Sequence, residues 1–164
     1  MSRGGRVPGE AVTFDHLAPG PADTARLGRL FGRWSPDGAV ILLEGGLGAG
    51  KTTFAQGVAE GCGVPGPVSS PTYNLVLHHV GERPLVHADL YRLAGLQELE
   101  TLDLDEIFSP PGLAVVEWPE LVADRATPPC AVVDLVREDG GRRIAGQLIG
   151  AGWSAVLEAL EAGP

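Results

Sequence analysis

Ala39-Val40-Ile41-Leu42-Leu43-Glu44-Gly45-Gly46-Leu47-Gly48-Ala49-Gly50-Lys51-Thr52-Thr53 is the stretch from which the rest of the chain is read. Its first five residues form a continuous apolar run of strand length, as expected for a strand buried on both faces of a parallel sheet. From Lys51 onward, Phe54, Val58 and Cys62 recur four apart, which predicts a helix stopped around Gly61 and Gly63. Between strand and helix lies a complete G-x-x-x-x-G-K-[ST] pattern, the Walker A or P-loop sequence. Glycines at 45, 46, 48 and 50 let the backbone wrap so that successive N–H groups point at phosphate oxygens. The helix that follows offers its positive N-terminal end to the same anion. Lys51 is expected to reach the β- and γ-phosphates as a flexible point charge, and the Thr52 hydroxyl to ligate magnesium. A chance glycine-rich turn is the competing reading in a chain with 24 Gly; the strand–loop–helix context and the full pattern outweigh it.

Toward the N-terminus, residues 1–10 read as a mobile tail. Ala11 to His16 alternates, with Val12 and Phe14 on one face, and predicts a short strand. From Ala22, Leu27, Leu30, Phe31 and Trp34 follow helical spacing until Ser35-Pro36-Asp37-Gly38 ends it. Toward the C-terminus, Thr72 to Val80 and Leu85 to Leu90 are β-type runs joined by Gly81-Glu82-Arg83-Pro84, a predicted hairpin. Gly95 to Phe108 carries spaced leucines among acids, which suits one or two short helices. Leu113-Ala114-Val115-Val116 is a second buried-strand run, closed by Glu117. Ala131 to Val136 and Arg142 to Leu148 flank Asp139-Gly140-Gly141 as another hairpin, and Trp153 to Leu160 is a last amphipathic helix. The expected fold is α/β: one P-loop NTPase-like three-layer domain over residues 11–164, with a mixed, partly antiparallel sheet.

Composition excludes several functions. With 44% apolar residues in 164, the chain is not of the disordered class. Its net charge of −9 repels polyanions, so sequence-independent DNA or RNA binding is not its main task. It has no run of 18 apolar residues, and no apolar segment follows Arg3 and Arg6 as a secretory signal requires; a cytoplasmic location is expected. Cys62 and Cys130 form no CxxC and, with four His, no zinc pattern, so two buried reduced thiols are expected. Eleven Arg against one Lys, like the abundance of Gly, reads as GC-rich coding bias. The one Lys is Lys51.

A P-loop needs an acid on a neighbouring strand end. Glu117 closes a four-residue apolar run, and Asp89 closes Leu85-Val86-His87-Ala88. In open α/β sheets the ligand lies at the carboxyl ends of the strands, so both face the phosphate loop; for each, an ordinary solvated strand-end carboxylate is the alternative. The guanine-reading Asn-Lys-x-Asp element is absent, because the only Asn is Asn74 and the only Lys is Lys51. ATP is therefore favoured by elimination.

Four segments in this order carry a resemblance: Leu47-Gly48-Ala49-Gly50-Lys51-Thr52-Thr53, Ser70-Pro71-Thr72-Tyr73, His87-Ala88-Asp89-Leu90-Tyr91-Arg92-Leu93 and Glu117-Trp118-Pro119-Glu120. Together they resemble TsaE, the bacterial P-loop ATPase family needed to make N6-threonylcarbamoyladenosine beside the tRNA anticodon, from about residue 21 to 148. The resemblance implies a small P-loop ATPase using ATP and Mg2+, with loop contacts from Gly45 and from Leu47 to Thr53. It implies Thr52 and Glu117 as magnesium ligands, and Lys51, Asp89 and Glu117 as the residues of hydrolysis, Asp89 positioning metal or water. Ser70, Thr72 and Tyr73 fall in a switch-like loop near the γ-phosphate. An Arg of the last hairpin would approach the nucleotide; Arg143 is the nearest match, with Arg142 adjacent. The implied partners are TsaB and TsaD, which transfer the threonylcarbamoyl group, with tRNA met only through them and no membrane or DNA partner. Hydrolysis would reset that pair.

The chain departs from the family pattern at Gly46, where Asp is frequent, at Ala88, where an aromatic is frequent, and in a longer N-terminal tail. Tyr73 and Tyr91 read as packing groups, and Trp118 as either a cover for the site or a core cap. The acids from Glu98 to Glu106 read as a solvated face or a docking surface. His78, His79 and His87 have no catalytic partner in the sequence and read as hairpin surface or packing. Two other functions share the P-loop: a small-molecule kinase, for which only Arg83 and Arg92 are available as lid arginines, and a nucleotide-dependent scaffold with little hydrolysis.

Overall fold

The apolar run before the glycine loop becomes a strand with parallel neighbours on both sides. The structure, a computed structural model, describes residues 10–69, 71, 74–93 and 95–163. Its strands are β1 (Ala11–Ala18), β2 (Val40–Glu44), β3 (Val76–His79), β4 (Leu85–Asp89), β5 (Leu113–Glu117), β6 (Cys130–Glu138) and β7 (Gly141–Ile149). They form one sheet in the order β1-β7-β6-β2-β5-β4-β3. The middle four, β6, β2, β5 and β4, are mutually parallel. Antiparallel hairpins extend it at both ends: β1 and β7 beyond β6, and β3 beyond β4.

Alternation along the central strands makes two cores. Ile41, Leu43, Leu85, Leu113 and Val115 face the helices α1 (Pro21–Trp34), α2 (Lys51–Gly61) and α5 (Ser154–Glu161). Val40, Leu42, Val86, Ala114 and Val116 face the opposite layer, where α3 (Leu96–Leu99), α4 (Leu104–Phe108) and the 3₁₀ turn Ala123–Arg125 supply Leu99, Ile107 and Ala123. This is the expected three-layer, mixed-sheet architecture.

Helix α1 starts with Pro21 at its first position, and the Asp23 carboxylate accepts the Gly20 N–H at 3.0 Å. Its buried stripe is Thr24, Leu27, Gly28, Phe31 and Gly32. Phe31 sits among Phe14, Phe54 and Trp153 at ring-centroid separations of 5.6, 5.4 and 6.4 Å. The glycines bring α1 and α2 together backbone to backbone. A Cβ at Gly28 would lie 2.2 Å from the Phe54 carbonyl oxygen, and one at Gly57 2.1 Å from that of Ala25. At the other end of α1, the Arg83 guanidinium donates to the carbonyls of Gly32 (2.9 Å) and Ser35 (2.7 Å) and pairs with Asp37. It thus satisfies acceptors that a helix C-terminus leaves open.

Several expectations shift in detail. Trp34, placed on the buried face by its spacing, is exposed, because the helix ends there and its ring lies against Arg33. Val12 is half-exposed on the edge strand β1. The run from Thr72 narrows to Val76–His79, with Thr72 and Tyr73 outside the described residues. Of the expected tail, residues 1–9 lie outside them too, while the Glu10 carbonyl accepts the Gly150 N–H. Cys62 and Cys130 are free and buried, and burial pushes both thiols up to about 11. Among the described residues, no helix is long and apolar enough to cross a membrane.

Candidate functional site

The loop from Gly45 to Gly50 leaves the carboxyl end of β2 between the ends of its parallel neighbours. Gly45, Gly48 and Gly50 take φ values of +146°, +73° and +104°, a region that side-chain-bearing residues rarely adopt. Gly46 is different: its φ is ordinary, and a Cβ there would meet nothing within 4 Å. A Cβ at this position is therefore tolerated. Leu47 stands exposed at the loop tip, while Ala49 is buried.

Lys51, the first residue of α2, is only 5% exposed. Its Nζ donates to the Gly45 carbonyl and, at 2.9 Å, to the Gly46 carbonyl. The Trp118 ring covers the ammonium, with its centroid 3.5 Å from Nζ, a cation–π contact. Burial lowers the Lys51 pKa, opposed by the negative charges of Glu117, Glu120 and Asp89. Trp118 adopts a left-handed backbone, φ +57°, directly after β5, and its ring lies 4.9 Å from that of Tyr91. Of its two sequence readings, this is the cover over the site. Strain of this kind persists where surrounding contacts over-determine it.

The parallel register Asp89↔Glu117 puts the two strand-end acids side by side. Glu117 is not a solvated carboxylate, being only 2% exposed. The Thr52 hydroxyl donates to its Oε1 at 3.0 Å, and its Oε2 lies 2.6 Å from Nε2 of His87. Asp89 accepts the Tyr91 N–H at 3.1 Å. Burial raises the Asp89 pKa, partly offset by that N–H and reinforced by Glu117.

Gly46 to Thr53, Asp89, Glu117 and Trp118 line one cavity of about 370 Å3. A smaller recess of about 120 Å3 adjoins it, sharing Gly50, Thr53 and Arg142 and lined further by Pro19, Pro21 and Thr24. Most of the expected residues thus converge. Arg143 does not: its guanidinium pairs with Asp15, and it borders a separate cavity with Glu44, Glu120 and Asp134. Arg142 takes the place expected of it, donating to the Ala49 and Gly48 carbonyls at 3.1 Å each. Alternation gives the reason. Arg142 shares its face of β7 with Ile144 and Leu148, which pack against the helical layer that contains α2, so position 143 points away. Ser70, Thr72 and Tyr73 lie outside the described residues. His87, expected as hairpin surface or packing, is buried with its ring against Glu117; its period-two spacing from Asp89 was the available signal.

Comparison with known proteins identifies the family. The family model described as "Threonylcarbamoyl adenosine biosynthesis protein TsaE" matches residues 18–144. The tRNA threonylcarbamoyladenosine biosynthesis protein TsaE of Treponema pallidum is 39% identical over 123 residues, covering 74% of this chain and 91% of the relative. Its namesake from Mycobacterium tuberculosis is 40% identical over 134 residues, covering 76% and 77%. The crystal structure of Bacillus subtilis YdiB superposes with a TM-score of 0.67 and 28% identity over 96% of this chain and 98% of that one. By its sequence, its sheet and its loop, the chain belongs to the TsaE family.

Proposed function

We propose that the chain is a magnesium-dependent ATPase that acts in the cytosol as an accessory subunit in N6-threonylcarbamoyladenosine modification of tRNA, alongside TsaB and TsaD. The observation that carries the reading is the convergence of buried Lys51, the Thr52 hydroxyl and the buried Glu117 carboxylate at one glycine-cornered loop. Thr52 and Glu117 are hard oxygen donors 3.0 Å apart, a pair that suits magnesium. No group of three or more His, Cys, Asp or Glu among the described residues is placed to hold a metal by itself. Thr52 and Glu117 would hold the ion together with the nucleotide that carries it. Bound there, magnesium neutralises charge developing on the terminal phosphates.

The chain's own residues supply the remainder. Lys51 exchanges its loop carbonyls for phosphate oxygens, and the amides of Gly48 to Thr53 cradle the anion with the end of α2 behind them. Asp89, on the cavity wall beside Glu117, orients the attacking water. The recess at Pro19, Pro21 and Thr53 opens beside the loop on the side where the nucleoside would extend. In this class catalysis is positioning and electrostatics, so hydrolysis is slow until a partner completes the site. With a net charge of −9, contact with tRNA falls to the partners.

The test is phosphate release from ATP by the purified chain, alone and with TsaB and TsaD. A slow intrinsic rate raised by the pair is expected, and a rate indifferent to it would contradict the accessory role. Lys51→Ala should abolish hydrolysis. The kinase reading loses one of its two arginines, since Arg83 is committed to the end of α1. ATP consumption without phosphate release, in the presence of candidate acceptors, would restore it. Single-turnover rates with the partners separate hydrolysis from a scaffold that only binds.

A further inference from the structure

His87 sits in β4 two residues before Asp89, on the face turned toward α2. The register His87↔Val115 and Asp89↔Glu117 makes His87 and Glu117 diagonal neighbours across the β4–β5 ladder. Their side chains are 1% and 2% exposed, and Nε2 lies 2.6 Å from Oε2, a short bond of the kind an N–H makes to a carboxylate. The other ring nitrogen, Nδ1, has no hydrogen-bond partner among the described residues. Glu117 is therefore the ring's one hydrogen-bond partner among the described residues, with the His79 ring 6.4 Å away between centroids.

The consequence lies in Glu117. The terminal torsion of a glutamate is broad, so a carboxylate tied at one oxygen samples a range of orientations. Glu117 is tied at both, by His87 at Oε2 and by the Thr52 hydroxyl at Oε1. We propose that His87 is a positioning residue, holding Oε2 of Glu117 from behind so that Oε1 faces Thr52 and the magnesium position. The inference rests on the magnesium reading of the previous section. Groups that orient a metal-binding side chain typically change metal affinity by about 10- to 100-fold when removed. A ring that merely filled the space between β4 and the helical layer would have no such effect.

The experiment uses the full chain and a fluorescent ADP analogue, with its affinity measured in EDTA and across a Mg2+ titration. His87→Gln keeps an N–H at similar reach, and His87→Leu keeps bulk without a donor. The parent chain and His87→Gln should share one Mg2+ requirement. His87→Leu should bind the analogue equally well in EDTA yet need about 10- to 100-fold more Mg2+ to tighten it. If His87→Leu does not fold, His87→Asn, polar but too short to reach Oε2, replaces it with the same expectation. An unchanged Mg2+ requirement in the donor-lacking variant, or an equal loss of binding in EDTA, would overturn the positioning role. A parent chain whose binding ignores Mg2+ would instead overturn the magnesium reading beneath it.

Discussion

The proposed ATPase requires Lys51 to leave the position in which it is held. Its Nζ is bound to two carbonyls of its own loop under the Trp118 ring, and in the proposed ATPase phosphate oxygens displace those acceptors. The same loop is braced from behind by Arg142 through Gly48 and Ala49. Arg142→Ala should weaken nucleotide binding by about tenfold, the equivalent of one lost charge-assisted hydrogen bond, while Arg143→Ala leaves it within about twofold, because its partner is the exposed Asp15. Titration with a fluorescent nucleotide distinguishes the two, and the opposite ranking would refute the assignment of faces on β7. Lys51, Thr52 and Glu117 were each named from the sequence, and the structure brings the three to one cavity. The sequence offered Arg143 with Arg142 adjacent and did not decide between them, since only the strand's register determines which one faces the helical layer. It read His87 as hairpin surface or packing, because the partner lies 30 positions away in sequence and meets it only through the pairing of β4 with β5.

The pairing of α1 with α2 rests on four glycines at matched spacing, Gly28 and Gly32 against Gly57 and Gly61. A Cβ at any of them would fall 2.1 to 2.3 Å from a backbone carbonyl oxygen of the facing helix. Gly32→Ala or Gly57→Ala should therefore cost about 1–3 kcal/mol, as overpacking does, whereas Gly46→Ala should stay within about 0.5 kcal/mol. Urea denaturation of the three variants checks the contrast, and equal midpoints would remove the close-packing argument. Arg83→Ala should lower stability by about 1–2 kcal/mol by releasing the α1 carbonyls, with nucleotide affinity unchanged because Arg83 is remote from the cavity. The helices and the buried strands were legible because their apolar periods are long. The role of these glycines was not: in a chain with 24 Gly, coding bias and a glycine interface leave the same letters.

Across the whole molecule, both thiols lie in the two cores, Cys62 under the helices and Cys130 on the opposite face. Each is raised from 9.0 to about 11 by burial. The unfolded chain thus loses these protons first, so stability is fully present below pH 9 and falls as pH rises from 9 through 11. The loss is on the order of 2 kcal/mol per thiol. Denaturation at pH 8 and pH 10.5 should show it in the parent chain and show less of it in a variant carrying Cys62→Ala and Cys130→Ala; identical losses would contradict this source. The parallel centre and antiparallel flanks were legible from apolar runs and glycine turns. The order β1-β7-β6-β2-β5-β4-β3 was not, because strand neighbours are chosen by crossovers that no local pattern encodes. The sheet centre presents Glu117 to the loop that holds Lys51 and Thr52. The most direct test of the proposed site is Mg2+-dependent phosphate release from ATP, in the presence of TsaB and TsaD, by the parent chain and by Glu117→Gln. The expected result is a Mg2+-dependent rate in the parent and a loss of about 100-fold or more in the variant, with ATP still bound; equal rates would contradict the assignment.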